Sequence, residues 1–245
     1  MYIKTAQLVR EQRDRTWARL IMATGFLSLA LASGAQTVSF TNAVSITIDD
    51  QGDPPTTAAP YPSDIEVSGL GGLFVEKVTV TLEGLTHDFP SDLDVLLVGP
   101  QGQMSMLMSE VGGNDQFPVS DVTLTLDNDA QFSLPTETML LSGTFKPTRQ
   151  FPTLEFEFPS PAPVGSSSAP ADLSVFNGTD PNGTWSLYVV DESSPHSGVF
   201  LGGWSLQLTT VAVPEPSAAS MLLLGLGAFK IFRSRTRAGN GRKQI

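Results

Sequence analysis

The chain has 245 residues, no cysteine, and 25 Asp plus Glu against 14 Lys plus Arg, for a formal net charge of −11. Without cysteine, neither disulfides nor thiolate metal sites are available. Between Gln36 and Val213 only Lys77, Lys146 and Arg149 are basic against 22 carboxylates, a surplus that repels nucleic acid and anionic membrane and so excludes a nucleic-acid partner.

The N-terminus carries Lys4, Arg10, Arg13, Arg15 and Arg19, then an apolar run from Leu20 to Ala32 that ends in Ser33-Gly34-Ala35. Basic, apolar and small residues in that order predict a signal peptide over 1–35, with a helical apolar part and cleavage after Ala35. The run is shorter than the roughly 20 residues of a comfortable span. An uncleaved anchor is the alternative reading.

Beyond Gln36 the apolar residues alternate rather than recurring at three and four, which predicts strands. Val44, Ile46 and Ile48 form the first expected strand, and Asp49 to Ser63 a breaker-rich loop. Val78, Val80 and Leu82 form the next. Leu93 to Val98 is almost wholly apolar and predicts a strand buried on both faces. Gly99-Pro100-Gln101-Gly102 turns it into Met104 to Met108 as a hairpin. Val122 to Leu126 and Leu154 to Phe158 each alternate with one wet face. Ser160 to Asp172 is a low-complexity stretch, read as a flexible loop crossing the sandwich or else as a domain boundary.

The densest pattern runs from Phe176 to Leu208. Asn177-Gly178 and Asn182-Gly183 match glycosylation sequons but read better as tight turns. Trp185, Leu187 and Val189 alternate along one strand, and Trp204, Leu206 and Leu208 along another. The pair is expected to form a closing hairpin, with Trp185 and Trp204 anchoring the core. Seven to nine short strands with turns between them predict an all-β, antiparallel β-sandwich.

Three stretches, DLDVLLVGPQG, FNGTDPNGTWSLYVVDES and GVFLGGWSLQL, resemble the P domain of proprotein convertases in order and spacing. The resemblance covers about Ile65 to Thr210. It implies a jelly-roll sandwich and a non-catalytic accessory role beside a subtilisin-like serine endopeptidase on a separate chain.

The C-terminus carries Val213-Pro214-Glu215-Pro216-Ser217, an apolar run from Ala218 to Phe229, and then Lys230, Arg233, Arg235 and Arg237. This order is similar to a PEP-CTERM sorting tail over 213–237, followed by a polar tail over 238–245. The resemblance implies a Gram-negative bacterium that makes exopolysaccharide, export, and processing at Pro214, Glu215 and Pro216 by an exosortase. A short helix within 218–232 would hold the chain in the membrane, transiently or stably, with the basic cluster on the cytoplasmic side.

No catalytic constellation is legible. His87 and His196 are the sole imidazoles, both in turn-rich segments and both expected at the surface. No nucleophile elbow and no glycine-rich triad motifs accompany them, so the chain is expected not to be an enzyme. Calcium is the sharper hypothesis, because it takes six to eight oxygens. Asp92 and Asp94 are two apart, and Asp191 ends the Trp185 strand within reach of them. Asp88, Asp115 and Asp121 are further candidates for the shell. The plain alternative is that Asp92 and Asp191 cap turns. Phe117, Phe132, Phe145, Phe151 and Tyr188 are candidates for a carbohydrate-stacking platform toward exopolysaccharide, which spacing alone does not separate from core packing.

Taken in order, the expected organisation is a signal peptide over 1–35, a sandwich over 36–212 with its core at 65–210, a sorting tail, and delivery to the cell envelope or extracellular matrix.

Overall fold

The computed structural model describes residues 34–49, 54–113, 117–152, 154 and 156–212. The expected signal helix, the C-terminal apolar helix, Asp115, Glu155 and the Pro214-Glu215-Pro216 motif lie outside the described residues, and among those described no helix is long and apolar enough to cross a membrane.

Among the described residues twelve strands build two sheets facing each other, so the all-β sandwich holds. They are β1 (Gln36–Asn42), β2 (Ile46–Ile48), β3 (Thr56–Thr57), β4 (Ser63–Val67), β5 (Leu73–His87), β6 (Leu93–Val98), β7 (Met104–Ser109), β8 (Val119–Asp127), β9 (Gly143–Phe145), β10 (Thr148–Arg149), β11 (Gly183–Asp191) and β12 (Gly198–Ala212). The first sheet runs β1-β12-β5-β8-β9, with β2 also on β12; the second runs β10-β7-β6-β11-β3, with β4 also on β11. Pairing is antiparallel except for β9 on β8 and β10 on β7, two short parallel edges. The chain opens on β1, a strand whose alternation is too polar to read, while Val44 is exposed and lies outside β2.

The two tryptophan strands do not form a hairpin. β11 belongs to the second sheet and β12 to the first, so Trp185 and Trp204 enter the core from opposite sides. Alternation specifies which face of a strand is buried but not which sheet it joins. Both indoles are fully buried with their N–H groups satisfied: Trp185 donates to the Pro181 carbonyl at 2.9 Å and Trp204 to the Ser63 hydroxyl at 3.1 Å. Phe176 packs on Trp185 with ring centres 4.9 Å apart. Gly203 bulges β12 with φ +68, where a side chain would strike the carbonyl of Asn42.

β6 is buried on both faces, as its unbroken apolar run predicts. Its inner residues Leu93, Val95 and Leu97 join the main core, and its outer residues Leu96 and Val98 join a second cluster with Met106, Tyr188, Val190, Phe158 and Ala169. The cover over that outer face is the segment after β10. The expected strand at 154–158 is absent, since Pro152 and Pro159 bracket it and residues 154 and 156–158 pair in no ladder. Nor is Ser160 to Asp172 a loose crossing. Arg149 donates to the carbonyls of Phe151, Ala169 and Ser167, and the Glu157 carboxylate accepts from Gly165, Ser166 and Ser167. These bonds hold the Glu157 carboxyl down at about 2 and tie the small-residue stretch to the sheet.

Candidate functional site

One end of the sandwich gathers polar groups from four chain segments: the end of β5, the short 3-10 turn Pro90–Asp92 that leads into β6, the end of β7, and the end of β11. Register places them on two faces. Leu93 pairs with Asp191, and Asp94 with Val190. Directly opposed residues share a face of the sheet. Leu93 packs in the main core and Val190 in the outer cluster, so Asp191 points between the sheets and Asp94 out from the second sheet.

On the inner side, His87 Nε2 lies 3.1 Å from Asp191 Oδ2, and both side chains are fully buried. The Phe89 N–H donates to His87 Nδ1 at 3.1 Å, which puts the ring proton on Nε2 and makes it the donor to Asp191. The other Asp191 oxygen accepts the Ser193 N–H at 2.9 Å, the turn-capping role foreseen as the plain alternative. His87 is therefore a core residue and not a surface one. The strand alternation that buries Leu85 carries it inward too, and Gly198 passes so close that a Cβ there would strike its ring. At the rim, His196 Nδ1 lies 2.9 Å from Asp92 Oδ2, and the Phe89 ring stacks on the imidazole at 4.8 Å.

On the outer side, Asp94 is buried and neither carboxylate oxygen meets a donor in good geometry; the buried Ser109 hydroxyl beside it likewise lacks a bond of good geometry. Its neighbour is another acceptor. The Glu192 carboxylate lies within hydrogen-bonding reach of Asp94 and also of Glu110. Burial is the largest cause for all three: Glu110 is pushed up to about 7 by burial and then by Glu192, Glu192 rises by burial and then by Asp94, and Asp94 rises by burial against the opposing pull of its contacts with Glu192 and Ser109. Asp92 is raised as well, chiefly by burial and against the opposing pull of His196. Arg149 acts on Asp94 through its charge, while its recorded hydrogen bonds go to the cover segment. A groove of about 810 Å³ opens beside the cluster, lined by Glu110 and Glu192 together with Phe151, Leu154 and Phe156.

The expected calcium set of Asp92, Asp94 and Asp191 is thus divided. Asp191 is committed to His87 on the inner face, Asp92 sits at the rim with His196, and Asp94 meets Glu110 and Glu192 instead. Among the described residues no three His, Asp or Glu side chains already converge on one metal position. Asp88 and Asp121 add no such set. Sequence reasoning passed over Glu110 and Glu192, although the β6–β7 hairpin register, with Val98 on Met104 and Val95 on Met108, carries Ser109 and Glu110 alongside Asp94. The five aromatics form no common platform: Tyr188 is buried in the second sheet, Phe145 packs against the main core, and Phe132 and Phe151 are exposed on separate segments.

Residues 212–237 match the PEP-CTERM protein-sorting motif, which marks an exported protein sorted through its C-terminal tail, and Pro214, Glu215 and Pro216 fall within the match. Among solved structures the chain is similar to a serine protease of Aeromonas sobria, with 13% identity and a TM-score of 0.32 over 72% of this chain and 26% of that one. It is also similar to the complex of the Aeromonas sobria serine protease and the chaperone, with 14% identity and a TM-score of 0.34 over 74% of this chain and 27% of that one. The chain therefore spans about a quarter of the length of these solved chains. No curated protein matches it.

Proposed function

We propose that the chain is a non-catalytic binding or structural module delivered to the cell envelope or extracellular matrix, with exosortase-type machinery acting on its tail. The observation that carries the reading is the junction: β12 ends at Ala212, and the sorting motif begins at that residue. Sandwich and address signal therefore abut without an intervening domain. A non-catalytic role is supported by His87, whose two ring nitrogens are both engaged, one by a carboxylate and one by a backbone N–H, and by His196, whose recorded hydrogen-bond partner is Asp92 and not a hydroxyl. Fractionation of cells producing the chain with and without residues 214–245 tests the reading. The full chain should reach the envelope and shorten as its tail is processed, while the truncated form is released unprocessed. Equal secretion of both forms without a change in size overturns it.

A P-domain-like module that accompanies a separate peptidase is the second reading. It is favoured by the pairing of the two strands that carry the resemblance: β6, from DLDVLLVGPQG, and β11, from GTWSLYVVD, are hydrogen-bonded neighbours from Leu93–Asp191 to Val98–Ser186. Stoichiometric co-purification with a subtilisin-like peptidase supports this reading. Retention that depends on exopolysaccharide points instead to a matrix ligand.

A further inference from the structure

The contact of Asp94 with Glu192, and of Glu192 with Glu110, sets acceptor against acceptor. Two carboxylates cannot donate to each other, so such a contact is stable only with a proton or a cation between them. Asp94 cannot relieve it by turning to water, since it is 1% exposed, and neither of its oxygens meets a donor in good geometry, the Ser109 hydroxyl beside it included. Burying an unpaired carboxylate is costly, and proteins compensate with a partner charge or a metal. Arg149 fills that role only in part: its charge favours the ionised Asp94, but its recorded hydrogen bonds go to the carbonyls of the cover segment and none to the carboxylate.

We propose that Asp94, Glu110 and Glu192, with the Ser109 hydroxyl, form a calcium-binding site on the outer face of the second sheet. The chemistry of the donors selects the ion. All are hard oxygens, with neither imidazole nor thiolate among them, which suits calcium over zinc or copper. Enclosure favours a small ion too: Asp94 is buried, and the groove beside the cluster is lined by Glu110 and Glu192 but not by Asp94. The ligands come from three separate segments: the start of β6, the end of β7 and the turn after β11. Asp94 is fixed by the ladder, while the longer Glu110 and Glu192 side chains, which are only partly buried, turn inward to close on the ion. Glu110 sits at φ +56, an uncommon backbone setting that starts its side chain beside the end of β7. Asp92 adds negative potential from the rim without being a ligand. The site belongs to the sandwich itself, so it stands or falls independently of how the chain is sorted.

Calorimetric titration of the full chain with calcium chloride, after exhaustive treatment with chelator, is the direct test. One ion should bind per chain with a dissociation constant of about 0.1–1 mM, the range of extracellular calcium modules. At 10 mM calcium the melting temperature should rise by about 3–10 °C. Asp94→Asn and Glu192→Gln should each weaken binding at least tenfold. Glu83→Gln, a carboxylate change on the first sheet, should leave it unchanged. If Asp94→Asn does not fold, Glu110→Gln at the partly buried mouth carries the comparison. A wild-type chain that gives no calcium heat overturns the proposal, as does equal weakening by Glu83→Gln. Stabilisation by acid alone, with no response to calcium, also overturns it and identifies a shared proton as what lies between the carboxylates.

Discussion

Ser63 clasps the two sheets, and its removal gives a sharp test of how the core is held. Its hydroxyl oxygen, on β4 of the second sheet, accepts the Trp204 indole N–H at 3.1 Å and the Asn42 amide at 3.2 Å, both from the first sheet. Ser63→Ala deletes that acceptor with almost no change in shape. Asn42 keeps its bond to the Asp64 carbonyl, but the indole N–H is fully enclosed and is left without a partner. A buried donor left unsatisfied costs about 1–3 kcal/mol. For a domain of this size each kcal/mol lowers the melting temperature by about 2–4 °C, so a loss of about 2–12 °C is expected. Trp204→Phe, which removes the donor and some volume, should cost about 2–3 kcal/mol. The two changes must not add. Once the N–H is gone, Ser63→Ala should cost less by about 1 kcal/mol, a coupling readable from urea denaturation followed by circular dichroism. Strict additivity, or a loss below about 0.5 kcal/mol for Ser63→Ala alone, would show that the bond between the sheets contributes nothing.

Gly203→Ala should destabilise by at least about 2 kcal/mol, since it combines a left-handed backbone with a clash at the Asn42 and Val44 carbonyls. Gly71→Ala, with open space around it, should stay within about 0.5 kcal/mol, and paired thermal melts check both. Arg149→Ala should loosen the cover segment, seen as faster amide exchange and proteolysis within residues 150–171 while the strands of the first sheet stay protected. In chelator, stability should fall as pH rises from about 5 to about 8. Glu110 ionises at about 7 in the folded state against about 4.3 unfolded, so across that window the folded chain holds the extra proton. Glu110→Gln should flatten the slope, and a melting temperature that climbs with pH over this interval contradicts the assignment.

Much of the architecture could be read before any coordinates. The alternation in Val78 to Leu82, Val122 to Leu126 and both tryptophan segments marks β5, β8, β11 and β12, and the unbroken run at Leu93 to Val98 marks the doubly covered β6. What alternation does not carry is partnership. Trp185 and Trp204 look like two arms of a hairpin because they are close in sequence, yet the turn at Glu192 to Ser197 carries the chain from one sheet to the other. Leu154 to Phe158 alternates equally well and forms no strand, because its apolar side chains cover another strand's outer face. The site was half legible for the same reason. Asp92 and Asp94 drew notice by their spacing, but the pleat sets Asp191 on the face away from Asp94, and the groups that do meet Asp94 lie one residue past the ends of two strands.

The position of β12 has a mechanical consequence. It lies in the interior of its sheet, paired from Gln36–Thr210 to Asn42–Trp204 on one flank and along nearly its whole length with β5 on the other. A tug arriving through the residues after Ala212 therefore runs lengthwise down a strand gripped on both sides. Many ladder bonds share that load at once instead of parting singly. A pull on that end therefore meets shear along two ladders rather than the peeling of an edge strand.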